Sequence, residues 1–211
     1  MTLRIDRQGT VVIRAPSYTV RREIDQFFET NKSWVAKRLA EKKVRERQSR
    51  PKRFVTGEEF LFMGKPYPLR IKETNGKAAA LSFSSRGFTL PRSHVPRARD
   101  LFVAWYKTKA WERITEKVLH LSRKLGLTPR GIRIMTARSQ WGSCSPDNGL
   151  SFNWKLVMAR GPVIDYVVAH ELVHIKEKSH SGRFWDELES VMPDYRERKA
   201  WLDDNGHLLN I

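Results

Sequence analysis

The stretch VVAHELVHIKEKSH, residues 167–180, contains three of the six histidines in a chain of 211 residues. His170 and His174 are four residues apart in an apolar run that follows a Gly-Pro pair and is typical of a buried helix. Positions four apart on a helix differ by about 40° in rotation. We therefore expect the two imidazoles to point to the same side, one turn apart, where both can bind one metal ion.

The residue that follows His170 is predicted to act beside the metal. Glu171 is displaced from its neighbour by about 100° around the helix axis. Its carboxylate is expected to flank the ion and to hold a water molecule there, instead of filling a coordination position. This is the position of a general base, and we predict Glu171 as the catalytic residue.

A catalytic zinc site needs a third protein ligand and keeps its fourth position open. His180 lies six residues after His174, past an expected helix end at residues 176–178, where the sequence SHSG can turn the chain back towards the ion. Glu187 and Glu189 are the competing donors, because some zinc enzymes use two His and one Glu. The sequence predicts one zinc ion (Zn²⁺) per chain, and at this point the third ligand stays open.

Hydrophobic periodicity predicts an α+β fold with two domains. Residues 1–91 are expected to form a β-rich amino-terminal module with antiparallel strands, turns at Gln8-Gly9 and Asn75-Gly76, and a basic helix at about residues 20–47. Residues 92–211 are expected to form the metal-binding domain. Its predicted parts are a backing helix that ends at Gly126, a short antiparallel sheet, the HExxH helix and two short helices.

Composition and charge limit the classes of partner and location. Lys and Arg total 40 against 23 Asp and Glu, a net charge of +17, which attracts polyanions such as nucleotides or nucleic acid. Much of the excess lies in residues 32–53, where a solvated helix face and a nucleic-acid contact are both open interpretations. No apolar run reaches the roughly 18–20 residues of a membrane helix, and the amino terminus lacks a signal-peptide core. We expect a cytoplasmic protein without a membrane partner, whose single Cys144 is unreactive.

Several residues near the expected metal site have two interpretations. The run at residues 150–158 is predicted as an edge strand that pairs with substrate. Asn153 is expected to face the cleft, whereas Trp154 either faces the cleft or packs in the core. The motif QWGSCS, residues 140–145, is expected to brace that strand. The phenols of Tyr166 and Tyr195 either stabilise an oxyanion or pack. No substrate-binding residue is assigned.

Four ordered motifs resemble the YgjP-like metallopeptidase family, which is related to the SprT and WLM groups of small zincins. They are QWGSCS, LSFNWKLVMA at residues 150–159, IDYVVAHELVH at residues 164–174 and SHSGRFW at residues 179–185. The resemblance covers most of the chain and implies a zincin-like metallohydrolase domain. It also implies that His170, His174 and His180 bind zinc and that Glu171 is catalytic. The chain departs from the family pattern at Gln140, where Arg is common, and at Val173, where Cys is frequent.

The expected function is zinc-dependent hydrolysis of a protein or peptide substrate. Zinc lowers the pKa of bound water to about 7 and polarises a carbonyl, and Glu171 accepts the proton. Two alternatives keep the same site: a nucleoside triphosphate pyrophosphatase, and a nucleic-acid-associated protease of the SprT type. The net charge of +17 suggests the first, and the basic residues 32–53 together with the SprT resemblance suggest the second.

Overall fold

The computed structural model describes residues 1–6, 9–48, 51–73 and 80–211. Within these residues it contains five α-helices and nine short strands in three sheets, a mixed architecture consistent with the α+β prediction. The chain divides into two compact units, Met1–Arg50 and Pro51–Ile211. No helix among the described residues is long and apolar enough to cross a membrane.

The first unit is a hairpin followed by a long helix. Strands β1 (Thr2–Ile5) and β2 (Val11–Arg14) pair antiparallel, as predicted, and helix α1 spans Arg21–Gln48. The amide of Thr10 donates to the Asp6 carboxylate at 2.8 Å and helps to close the hairpin. Gln8 of the predicted turn lies outside the described residues. Helix α1 is mostly polar in sequence, and its Val35 is buried.

The second unit begins with a four-stranded sheet. Its strands are β3 (Glu59–Phe62), β4 (Lys65–Lys72), β5 (Ser82–Ser84) and β6 (Gly87–Pro91), in the order β3-β4-β6-β5. The prediction that these strands are all antiparallel is wrong, because β4 and β6 are parallel. Parallel neighbours need a connection that crosses over, and β5 lies within that connection. The predicted turn at Asn75-Gly76 lies outside the described residues.

Helix α2 (Ala98–Leu125) joins this sheet to the rest of the unit. It ends at Gly126, which has the left-handed φ of 64° expected of a helix-capping glycine. Its buried residues recur every four positions, and Phe102 stacks on Phe60 of β3 at 4.2 Å between ring centroids. Strands β3 to β6 therefore belong to the compact unit that starts at Pro51, and the domain boundary predicted at residue 91 stays a prediction.

A three-stranded sheet follows α2. Its strands are β7 (Gly131–Met135), β8 (Gly142–Cys144) and β9 (Gly149–Asn153), in the order β7-β9-β8. The predicted antiparallel sheet is in fact mixed, because β7 and β9 are parallel and only β8 and β9 are antiparallel. The strand predicted over residues 150–158 ends at Asn153. The side chain of that residue accepts a hydrogen bond from the Lys155 amide and caps a 3-10 helix at Trp154–Met158.

Three helices complete the chain: α3 (Gly161–Val173), α4 (Gly182–Val191) and α5 (Tyr195–Asn205). Helix α3 packs against α2, α4, α5 and β8, and most of its side chains are buried. The two short carboxy-terminal helices match the prediction. Because α3 is surrounded on several sides, its charged residue Glu171 is buried.

Candidate metal centre

The two helix histidines lie at the end of α3. His170 occupies the last turn, and His174 is the residue that caps the helix, with φ −63° and ψ −13°. The predicted helix end at residues 176–178 is too late. The amides of Lys176 and Glu177 both bond to the Val173 carbonyl, so the chain tightens and turns directly after the capping histidine. This turn brings the following loop back over the helix end.

The loop places His180 between the two helix histidines. Its Nε2 atom lies 3.0 Å from Nε2 of His170 and 3.2 Å from Nε2 of His174. Two nitrogens bound to one tetrahedral zinc ion at the usual bond length are about 3.3 Å apart. Among the described residues, these three form the single cluster of three or more potential ligand side chains that could hold a metal ion.

The two competing carboxylates form ion pairs outside the histidine cluster. Glu187 of α4 accepts a hydrogen bond from the Lys176 ammonium at 2.5 Å. Glu189 pairs with Arg196, whose Nη2 is 3.0 Å from Oε2. Neither carboxylate joins the histidine cluster. The structure thus brings three imidazoles together and leaves both candidate Glu donors outside.

Neighbouring groups hold the imidazole rings in this orientation. Nδ1 of His174 lies 2.9 Å from the carbonyl oxygen of Glu177, so a neutral ring that donates from Nδ1 directs its Nε2 lone pair into the cluster. Phe184 of α4 stacks on the same ring at 4.4 Å, and Trp185 stacks on His180 at 5.6 Å. Backbone and aromatic contacts therefore restrain the rings before any ion binds.

The electrostatics of the cluster favour neutral imidazoles. Burial, together with the charges on the neighbouring His174 and His180 rings, lowers the pKa of His170 from 6.5 to about 3. Burial also lowers the pKa of His174, although its hydrogen bond to the Glu177 carbonyl acts in the opposite direction. A neutral imidazole keeps the lone pair that a metal ion requires.

Glu171 lies beside the cluster and under strand β8. Its side chain is only 5% exposed, and burial raises its pKa from 4.5 to about 8. It borders a small cleft of about 240 Å³. The lining of this cleft includes Ser139, Trp141, Gly142, Tyr166, His170 and Glu171. The predicted base and one predicted ligand therefore open onto the same space.

The loop that carries His180 is fastened to the turn between β8 and β9. Lys178 donates from Nζ to Asn148 Oδ1 at 2.6 Å and to the Ser145 carbonyl at 3.1 Å. Nζ also lies 3.4 Å from the sulfur of Cys144. Burial raises the pKa of this thiol, which agrees with the unreactive role predicted for it.

The motif at residues 140–145 contains strand β8 and braces the neighbouring strand, as predicted. Ser145 Oγ accepts from the Gly149 amide at 2.8 Å, and the Asn153 amide donates to the Trp141 carbonyl at 2.8 Å. The Asn153 side chain is buried and donates to the carbonyls of Ala137 and Gln140. Its interpretation as a cleft residue is therefore wrong.

Two further expectations about the cleft are corrected by the sheet. Strand β9, predicted as the edge strand for substrate, is central because β7 and β8 flank it. The edge beside α3 is β8. Trp154 is 2% exposed and donates from Nε1 to Thr136 Oγ1 at 3.2 Å, so it belongs to the core, the alternative that we also considered.

The two tyrosines pack near the cluster. Tyr166 is 5% exposed and its ring centroid lies 5.9 Å from that of His170, while burial raises the pKa of its phenol. Tyr195 stacks on Trp185 at 5.6 Å. Both rings support the residues around the histidines. His120, in contrast, is exposed on α2 and is not part of the cluster.

The feature that sequence reasoning missed is the close approach of Gly142 to Glu171. A Cβ atom built on Gly142 would lie 2.5 Å from Glu171 Oε1. The motif around this glycine is conspicuous, but its sequence does not indicate which helix residue the glycine faces. That pairing follows from the packing of β8 on α3.

The chain is similar to a protein family and, over part of its length, to a solved structure. The family model described as YgjP-like, metallopeptidase domain, matches residues 1–205. Part of the chain is also similar to the crystal structure of the metallopeptidase zymogen abylysin of Pyrococcus abyssi, with 21% identity, a TM-score of 0.40, and coverage of 46% of this chain and 96% of that one. No curated protein sequence matches. Since the family model spans nearly the whole sequence, the chain belongs to the YgjP-like metallopeptidase family.

Proposed function

We propose that this protein is a zinc-dependent peptidase whose ligands are His170, His174 and His180. The observation that carries the proposal is the convergence of three Nε2 atoms, with neighbouring separations of 3.0 and 3.2 Å, beside a buried carboxylate. Membership in a metallopeptidase family supports a metal ion and a protein or peptide substrate. We further propose that the second unit has the zincin arrangement of an HExxH helix beside a sheet edge.

The donor set fits zinc. Three neutral imidazole nitrogens suit a borderline-soft ion, and three protein ligands leave one tetrahedral position open, as in catalytic sites. When bound, zinc lowers the pKa of a coordinated water to about 7 and polarises a carbonyl under attack. The protein contributes the orientation of the imidazoles through the Glu177 carbonyl, Phe184 and Trp185.

Glu171 is the proposed general base. Its carboxylate accepts a proton from the attacking water and then delivers that proton to the amine nitrogen of the leaving product, so the group returns to its starting form. A side chain that is 5% exposed holds the proton in a nearly dry environment. The pKa of about 8 belongs to the metal-free protein, and a nearby cation lowers it towards the ionised form that a base requires.

Strand β8 is the proposed docking edge for the substrate. One of its sides pairs with β9, and within the described residues no strand pairs with the other. An extended peptide can add to such an edge through main-chain hydrogen bonds, which bind the backbone regardless of side-chain sequence. Because β8 packs on α3, a peptide placed there passes close to Glu171.

The test combines metal content with turnover in four proteins: wild type, His180→Ala, Glu171→Gln and His120→Ala. We expect one zinc ion per chain in wild type, loss of zinc in His180→Ala, and retained zinc with hydrolysis of unfolded protein reduced by about 10²–10⁴-fold in Glu171→Gln. His120→Ala, an exposed histidine outside the cluster, should match wild type.

Nucleoside triphosphates and single-stranded DNA belong in the same assay. Triphosphate hydrolysis that disappears in Glu171→Gln, without any proteolysis, would replace the peptidase proposal with the pyrophosphatase. Proteolysis that depends on added DNA would favour the nucleic-acid-associated alternative. Zinc retained in full by His180→Ala would contradict the proposed ligand set.

A further inference from the structure

Strand β8 approaches α3 so closely that it leaves no room for a side chain at Gly142. A Cβ atom on this residue would lie 2.5 Å from Oε1, 2.7 Å from Cγ and 2.8 Å from Cδ of Glu171. Carbon atoms in ordinary contact are separated by about 3.5–4.0 Å. Three atoms of one carboxylate side chain therefore occupy the space that any other amino acid would need.

Space, and not backbone conformation, requires glycine here. Gly142 lies in a strand and does not have the left-handed φ found at Gly64, Gly87 and Gly126. Gly131, in strand β7 of the same sheet, also has an ordinary φ, but a Cβ there would meet nothing within 4 Å. The two strand glycines differ in what faces them.

The Glu171 side chain cannot easily move away from a Cβ atom at position 142. Its Cγ atom can move appreciably only by rotation about χ1, and residues in helices have few allowed χ1 rotamers. Such a rotation carries the whole carboxylate away from its present place. The side chain is also 5% exposed, so surrounding atoms restrict the other positions that it can take.

We propose that Gly142 is a positioning residue for Glu171. The missing side chain lets the carboxylate lie directly beneath the edge strand, on the cleft shared with His170. The role of this carboxylate as a base rests on the proposed function, whereas the steric contact does not. Gly142 thus sets the location of the proton acceptor relative to a peptide on β8, without contact with the reacting atoms.

The first experiment tests the steric contact without an activity measurement. Thermal unfolding is compared in wild type, Gly142→Ala, Glu171→Ala and the double variant, all metal-free. We expect Gly142→Ala to lower the Tm by roughly 2–10 °C in the wild-type background. In the Glu171→Ala background the shift should be close to zero, because Cγ, Cδ and Oε1 are gone. Equal shifts in both backgrounds would overturn the proposal.

A Gly142→Ala protein that fails to fold is also informative. Recovery of folding in the double variant would support the contact, and failure of both would contradict it. Because the comparison uses metal-free protein, its outcome is independent of whether the chain is a peptidase.

The second experiment distinguishes a positioning role of Gly142 from obstruction of the substrate edge by the added methyl group. With zinc bound, Gly142→Ala should reduce kcat at least about tenfold, keep KM within about twofold, and retain one zinc per chain. Gly131→Ala is the matched control and should leave kcat unchanged. A raised KM with unchanged kcat would show that the methyl group obstructs the substrate, and would refute the positioning role. Wild type inactive on every peptide would refute the proposed function alone.

Discussion

The two edges of the three-stranded sheet face different environments although they belong to the same small element. Strand β8 packs on α3 beside Glu171, and its Gly142 has no free space. Strand β7 packs on α2, and its Gly131 has nothing within 4 Å. The identical residue is required on one edge and replaceable on the other. The proposed chemistry depends on the β8 edge alone, so substitutions on that edge should reduce stability or activity most.

Removal of zinc is expected to have the largest effect. A ligand present at a thousand times its Kd stabilises the folded state by about 4 kcal/mol, so a chelator should lower the Tm markedly. Hydrogen exchange should then accelerate at the end of α3, in the loop to α4, and in β8 with the turn that follows it, which Lys178 joins to that loop. Strand β7 should keep its protection. Equal acceleration in both edge strands would remove the distinction between them.

Asn153→Leu should be the next most damaging change. It leaves the carbonyls of Ala137 and Gln140 and the amide of Lys155 without their side-chain partner, which we expect to cost about 2–4 kcal/mol in urea unfolding. The same hydrogen bonds hold the segment that leads into β8, so turnover should also fall. Asn205→Leu, which removes a single side-chain hydrogen bond to the Trp201 carbonyl at a half-buried position of α5, should cost less. Equal losses in the two variants would contradict this account.

Stability of the metal-free protein should depend on pH through Glu171. Burial raises the pKa of this carboxyl to about 8, so the folded state binds the proton more tightly than the unfolded state. The resulting stabilisation is complete below about pH 4.5 and is lost as the pH rises through about 8. Between pH 5 and pH 8, wild type should lose roughly 3–4 kcal/mol relative to Glu171→Gln.

Urea unfolding of the two proteins at both pH values measures this difference, and the titration of the histidines largely cancels in it. Glu112→Gln, at an exposed position of α2, serves as the control and should follow wild type. Parallel pH profiles for wild type and Glu171→Gln would show that the carboxyl is not held in a buried environment.

The smallest expected effect comes from the polar contacts at the two edges. Lys178→Met removes the bonds from the His180 loop to Ser145 and Asn148, and should weaken zinc binding by less than tenfold. Arg130→Met removes an exposed ion pair with Asp147 beside β7. Exposed ion pairs contribute little to stability, and zinc affinity should not change. Competition with a chromogenic chelator measures the zinc affinity of both variants. An equal loss of zinc affinity in Arg130→Met would contradict the expected difference between the two edges.

Much of the candidate site was predictable because its spacing is local. The four-residue separation of His170 and His174 places both on one side of any helix, and the Glu between them must then flank the cluster. Gly126 was recognisable as the end of α2 for a similar reason, since a left-handed capping residue is a local requirement. The end of α3 was predicted too late, because the turn at His174 depends on bonds from the following loop to Val173.

Adjacent residues and helical periodicity specify the helices, the histidine spacing and a short set of candidate third ligands. Contacts between distant segments select His180 for the cluster, while Glu187 and Glu189 pair with Lys176 and Arg196. The tertiary structure alone makes β8 the edge strand and places Gly142 against Glu171. Strand order and contacts between distant segments arise from packing of the whole unit, and no local pattern of residues specifies them.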